Sequence, residues 1–269
     1  MKPLIVVKLG GSALTDKTRI YTPRLSTIHS AAKQIASIQR KQQLILVHGA
    51  GSFGHILAKR YRLHQGFKSP TQIEGLATTK FKLLEWEKTL DAVFLQRGVH
   101  VVPFLSSAFI ELKDGRITRA ELDPLRDWLQ LGCVPMIGGD VVPDTARGFA
   151  ILSGDQLAAY LAIKLKAARL VFGLDVDGIF DSNPKLNKHA RLLTDLTPTL
   201  AKHYATKSAT GGIPDVTGGM AGKIIEAVNA ARHGVPVHFV SLTKNKRLQK
   251  AVLDQRVTGS RILAGKGLE

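Results

Sequence analysis

The sequence predicts an α/β fold, a three-layer αβα sandwich built on a mainly parallel central sheet. Three observations predict it: short β-branched and aliphatic runs that read as strands buried on both faces, stretches at helical spacing between them, and glycine clusters just beyond strand ends. The 269 residues, 44% hydrophobic and 22% charged, provide ample side-chain area for a buried core and exclude a disordered, collagen-like or disulfide-scaffolded chain.

Residues 4–9 form the first expected strand, which ends in Gly10-Gly11-Ser12, and residues 24–38 carry apolar side chains at helical spacing. Residues 44–47 give a second strand, leaving through His48-Gly49-Ala50-Gly51 into a helix-compatible stretch that reaches Ala58. Residues 73–95 predict a long helix with Leu76, Leu83, Leu84, Leu90, Val93 and Phe94 available for one broad face; Trp86 and Phe81 on the same helix are expected in the core. Residues 99–104 are another strand. Residues 109–118 alternate around Lys113-Asp114-Gly115-Arg116, and Asp-Gly between such runs signals a hairpin. Strands follow at 134–137, 170–172 and 235–240, with helices at 156–167 and 220–232. In such a sheet, ligands gather beyond the carboxyl ends of the strands.

With 38 Lys+Arg against 21 Asp+Glu, the formal charge of +17 favours anionic partners. The basic residues are scattered along the chain and only 6% of residues are aromatic, which argues against a nucleic-acid module and leaves small phosphorylated molecules as the better fit. A single cysteine, Cys133, permits no internal disulfide and suits a reducing cytoplasm; the apolar run before Lys8 is too short for a signal peptide or a membrane span.

The glycine clusters carry the functional signal. Lys8-Leu9-Gly10-Gly11-Ser12 leaves two successive positions without side chains, so that backbone N–H groups can approach an anion while Lys8 supplies charge. Gly49-Ala50-Gly51-Ser52-Phe53-Gly54-His55 repeats the arrangement after the second strand, and Gly218-Gly219-Met220-Ala221-Gly222-Lys223 opens a helix. None has P-loop spacing. Gly49, Gly51 and Gly54 do satisfy the dinucleotide-binding spacing, but the acid about 20 positions on, Glu74, falls in a helical pattern rather than at a strand end, so a Rossmann dehydrogenase is a runner-up.

These residues resemble the amino acid kinase superfamily and, within it, the isopentenyl phosphate kinases. The marks are Lys8 to Ser12 with Lys17 nearby, His48 to His55, Ser153-Gly154-Asp155, Asp175-Val176-Asp177-Gly178-Ile179-Phe180 leading to Asn183-Pro184-Lys185, and Asp215-Val216-Thr217-Gly218-Gly219-Met220 with Lys223. The histidine closing the second glycine loop distinguishes the subgroup, because acetylglutamate and uridylate kinases are similar elsewhere but lack it.

The resemblance implies one amino acid kinase domain over residues 1–269, with an acceptor-binding lobe over about 1–167 and an ATP-binding lobe over about 168–269. It implies transfer of phosphate from ATP, with Mg2+, to isopentenyl phosphate, with dimethylallyl phosphate as a further acceptor, in a cytoplasmic homodimer that binds neither nucleic acid nor membrane. Fosfomycin kinases stay as the nearest alternative, and a basic nucleic-acid-binding protein as the alternative of a different class. By family position, Lys8 and Lys223 belong to the ATP phosphates and Lys17 to the transferring group, with Gly10, Gly11, Ser12, Gly51 and Gly219 cradling phosphate and Asp175 near adenosine. Asp155 holds the lysines. Ala50, Gly54, His55 and Gly154 belong to the acceptor site, and no residue is assigned as a metal ligand.

Overall fold

The computed structural model describes residues 2–16, 18–209 and 219–265. Among them, eight strands form one sheet in the order Asp195–Leu196, Ser260–Ile262, Val237–Ser241, Arg169–Leu174, Leu4–Leu9, Gln43–His48, Val134–Gly138 and Val101–Phe104. Every neighbouring pair is parallel except Val237–Ser241 with Ser260–Ile262. Strand Leu4–Leu9 lies where the order reverses: chain following it builds one side through Gln43–His48, and later chain builds the other through Arg169–Leu174. The chain leaving Leu4–Leu9 and Gln43–His48 turns to one face of the sheet and the chain leaving Arg169–Leu174 to the other, which opens a crevice at their carboxyl ends.

Alternation along the strands divides the core into two layers. Val6, Ile45, Val47, Ile137, Phe172 and Phe239 pack toward helices Gly154–Lys164 and Gly219–Arg232, with Leu157, Leu161, Ile224 and Ala227 among their neighbours. Ile5, Val7, Leu9, Leu44, Leu46 and Val171 pack on the other face against helices Leu25–Ala36, Thr71–Gln96 and Arg247–Val252. The period of two therefore puts Lys8 on the same face as Val6, toward the helices Gly154–Lys164 and Gly219–Arg232. A second sheet of four strands, in the order Arg116–Ala120, Ile110–Lys113, Asp140–Asp144 and Gly148–Leu152, stands beside the main one.

The three-layer expectation holds, and the expected strands and helices are found with ends moved by a few residues. The hairpin turns at Asp114 and Gly115, whose φ angles of 49° and 75° are the left-handed pair that a two-residue turn requires. Sequence reading missed the antiparallel pair Asp140–Asp144 and Gly148–Leu152, where Pro143 interrupts the apolar run, and the short strands Asp195–Leu196 and Ser260–Ile262, too brief to show a period. It also misplaced Phe81. Trp86 is fully buried, stacked on Phe53 with ring centroids 4.9 Å apart, but Phe81 is 59% exposed. Five residues turn a helix by about 140°, so two side chains at that spacing cannot share one face.

This contrast is testable by urea denaturation. Trp86→Ala should lower stability by about 3–5 kcal/mol through cavity formation, whereas Phe81→Ala should stay within about 0.5 kcal/mol of the unaltered protein. Equal losses would contradict the packing described.

Candidate functional site

Three chain segments converge at the switch point. Gly10 continues the first strand's pairing by donating its N–H to the carbonyl of Gly173 at 2.9 Å, after which residues Gly11–Leu14 form one helical turn. The second glycine loop packs directly on the first: a Cβ added at Gly11 would lie 2.8 Å from the nitrogen of Gly51, so no side chain fits there. Gly51 itself has φ +53°, and an added Cβ there would strike the side chain of Thr15.

Thr15 staples the two loops. Its hydroxyl donates to the Gly11 carbonyl at 2.9 Å and accepts the N–H of Ser52 at 3.0 Å. From behind, the indole N–H of Trp86 donates to the carbonyl of Gly49 at 3.0 Å. His48, which ends the second strand, is buried edge-on to Trp86 and takes a structural place. Neither Thr15 nor Trp86 was singled out for the loops from sequence. Thr15 had a signal, a hydroxyl four residues beyond Gly11 in position to bond back to its carbonyl.

Lys8, Asp155 and Lys223 form the chemical centre. Ser153 caps helix Gly154–Lys164 by accepting the N–H of Asp155 at 3.1 Å, which fixes Asp155 in the first turn. The carboxylate then bridges two cations, Lys8 Nζ to Oδ1 at 2.7 Å and Lys223 Nζ to Oδ2 at 2.7 Å. Lys8 and Asp155 are each only 5% exposed. Phe172, the register partner of Lys8 on the adjacent strand, lies beneath Lys223 with its ring centroid 5.7 Å from Nζ.

Burial pushes the Lys8 ammonium down to about 8, with Asp155 opposing the shift and Lys223 adding to it. Burial acts to raise Asp155, but Lys223 and Lys8 outweigh it and hold the carboxyl well below the usual carboxylate range. Two ammonium groups against one carboxylate leave one net positive charge in a partly desolvated recess, where an incoming anion is held more strongly than in water.

The recess opens into a cleft of about 1300 Å³. Of the residues selected from sequence, Lys8, Gly10, Gly11, Ser12, Ala50, Gly54, His55, Gly154, Asp155, Asp175, Gly219 and Lys223 all line it. Gly51 does not; it lies one layer behind, against Gly11 and Thr15. Lys17 and residues 215–218 of the third motif lie outside the described residues. Glu74 sits in the first turn of helix Thr71–Gln96, away from any strand end, so the dinucleotide reading loses its ribose ligand.

The two ends of the cleft differ in character. Near His55 the wall includes Ala58, Leu83, Val141 and Ile151, and Asp140 there is ion-paired to Lys80, which also reaches Ser107 Oγ at 2.5 Å. Near Asp175 the wall is loop 175–186, and Asp175 is ion-paired to Lys185. Loop 175–186 is the Asp175–Lys185 motif, whereas the wall near His55, together with Thr79 and Arg24, carries no motif, which is why sequence reading did not find it.

The chain matches the model of the amino acid kinase family over residues 3–241. It is 35% identical to the isopentenyl phosphate kinase of Methanothermobacter thermautotrophicus, over 96% of this chain and 98% of that one. It is 32% identical to the isopentenyl phosphate kinase of Thermoplasma acidophilum, over 78% of this chain and 82% of its relative. A crystal structure of isopentenyl phosphate kinase superposes with a TM-score of 0.83 at 31% identity, covering 96% of this chain and 99% of that chain.

The lowered Lys8 value makes anion binding pH-dependent. Without ligand, the lysine is charged below pH 8 and progressively neutral above it; unfolding restores its ordinary value, so stability contributed at this site rises between about pH 8 and 10. A bound polyphosphate favours the charged form. Calorimetry of inorganic triphosphate in buffers of differing ionisation enthalpy, compared with Lys8→Met so that the ligand's own ionisations cancel, should show an additional uptake approaching one proton at pH 9 and almost none at pH 6.5. Equal uptake in Lys8→Met and the unaltered protein would assign the proton elsewhere.

Proposed function

Because the chain belongs to the amino acid kinase family, we propose that it transfers the γ-phosphoryl group of ATP to isopentenyl phosphate, giving isopentenyl diphosphate and ADP. The observation that carries this reading is the placement of His55 in one cleft with the Asp155-bridged lysines, at the end walled by Ala58, Leu83, Val141 and Ile151. A cation centre, a histidine and an apolar wall match an acceptor that is a phosphate with a short hydrocarbon tail. The similarity to isopentenyl phosphate kinases over nearly the whole chain supports the same acceptor.

In this reading an oxygen of the acceptor phosphate attacks the γ-phosphorus as the bond to the β,γ-bridging oxygen breaks, and the electron pair leaves with ADP. Both reactants are anions, so catalysis consists of alignment and charge stabilisation. Lys8 and Lys223 neutralise the nucleotide phosphates, while Asp155 fixes where their charges lie. Lys17 is assigned to the transferring group on family similarity alone. Gly10, Gly11, Ser12 and Gly219 bring backbone to the phosphates, and Gly51 supports them from behind through Gly11. Asp175 belongs to the nucleoside end. His55 orients the acceptor phosphate, with Ala50, Gly54 and Gly154 around it.

Among the described residues, no three metal-ligating side chains gather. Magnesium would then take its ligands mainly from nucleotide phosphates and water, supplying charge neutralisation on their oxygens. Residues 1–167 would form the acceptor lobe and 168–269 the nucleotide lobe, and a cytoplasmic homodimer is proposed from the family likeness. Among the described residues, no helix is long and apolar enough to cross a membrane.

A coupled ADP-release assay with isopentenyl phosphate, dimethylallyl phosphate, fosfomycin, acetylglutamate and UMP at equal concentrations tests the acceptor. The two prenyl phosphates should be preferred; a preference for fosfomycin would move the chain to the phosphonate kinases, and one for a carboxylate or nucleotide would refute the reading. His55→Ala should lower kcat/KM toward the acceptor by about 10- to 150-fold, the equivalent of about 1.5–3 kcal/mol for a charge-assisted hydrogen bond. The KM for ATP should change little. A folded His55→Ala enzyme with unchanged acceptor kinetics would give His55 a structural role.

A further inference from the structure

The hairpin Ile110–Lys113 and Arg116–Ala120 is distant in sequence from every glycine motif, yet its turn is gripped by side chains next to the lysine centre. Gln156, the residue after Asp155, accepts the N–H of Ile117 at 2.9 Å and donates its amide to the carbonyl of Gly115 at 3.0 Å. Glu226, one helical turn after Lys223, is ion-paired to Arg116, accepting from both terminal guanidinium nitrogens, and is only 8% exposed. Asp144 holds the turn from a third side, accepting the N–H of Gly115 at 2.7 Å and those of Asp114, Ala146 and Arg147.

The two helices so gripped are those that present Asp155 and Lys223. They pack against each other within one core cluster, to which they contribute Ala158, Leu161 and Ala162 from one and Ile224, Ala227 and Ala231 from the other. Apolar packing is non-directional, whereas hydrogen bonds and ion pairs to a common third element fix a particular axial position. The polar grips of Gln156 and Glu226 both end on the same hairpin turn, one from each helix. Resting on the reading under Proposed function, we infer that the hairpin turn is a strap across the two helices, and that Arg116, Glu226 and Gln156 are positioning residues that set Lys223 against Asp155 and Lys8.

The strap also ties the two ends of the cleft together. Its strands belong to the four-stranded sheet whose other members supply Asp140, Val141, Ile151 and Leu152 to the cleft, while Glu226 belongs to the helix that begins at Gly219. A displacement of Lys223 by a fraction of an ångström alters charge stabilisation at the transferring group without removing any group from the cleft.

The test compares Arg116→Met, Glu226→Gln, Gln156→Met and the reversed pair Arg116→Glu with Glu226→Arg, in the full chain. Arg116→Met and Glu226→Gln should each lower kcat about tenfold and weaken calorimetric ATP binding about threefold, with acceptor KM within twofold. The reversed pair should recover at least half of the lost kcat, which a merely structural role would not require. Gln156→Met, which breaks an independent grip, should reproduce the loss if the reversed pair does not fold. The strap is overturned if folded Arg116→Met and Glu226→Gln keep kcat and ATP affinity within 1.5-fold, or if a folded reversed pair stays as slow as they are. Wild-type turnover of isopentenyl phosphate reports separately on the proposed reaction, and the ATP-binding ratios remain readable if that turnover is absent.

Discussion

A lysine built into the buried end of a central strand is the constraint on which the site depends. Lys8 sits on the layer of the sheet shared by Val6, Phe172 and Phe239, where an ammonium without a counter-charge is costly. Asp155 answers that cost, and because it also takes Lys223, one carboxylate fixes three elements: strand Leu4–Leu9, helix Gly154–Lys164 and helix Gly219–Arg232. Breaking such a buried network by removing one partner leaves an uncompensated charge, so the arrangement is more specific than it is stabilising.

The rest of the site follows from that placement. The sheet reverses its strand order at Leu4–Leu9, so the charged centre lies where a crevice opens between diverging loops. Glycines let the loops leaving the first two strands pack against one another, and Thr15 and Trp86 hold them from the side and from behind. The outcome is a rigid wall of backbone around a recess with one net positive charge. An arriving polyphosphate meets preset dipoles and cations, which need no reorganisation during phosphoryl transfer.

Much of this was legible in the sequence because it rests on local patterns. Short β-branched and aliphatic runs predicted the strands, and glycine clusters after strands marked the loops; the two core layers and the side on which Lys8 lies come from the structure. Lys8, Asp155, Lys223 and His55 were marked by the motifs in which they sit, and they line one cleft. What stayed hidden depends on contacts between distant segments. Thr15 reaches Ser52, Trp86 reaches Gly49, and Gln156 and Glu226 reach the hairpin more than 35 residues away. Such pairings have no period and no fixed spacing. Phe81 was misplaced for a different reason: its spacing of five residues from the buried Trp86 already put it on another face of the helix, the one that meets solvent.

The central claim is that Asp155 keeps Lys8 charged inside the fold. A nitrogen-detected NMR titration of the Lys8 Nζ, in 15N-lysine-labelled protein and in its Asp155→Asn variant, tests it most directly, with the resonance assigned by Lys8→Arg. Burial alone drives the value down and Asp155 raises it toward normal, so the midpoint should be near 8 in the unaltered protein and clearly lower in Asp155→Asn. A midpoint that does not move, or that rises toward the ordinary lysine value, would show that the carboxylate does not hold this ammonium in its charged state.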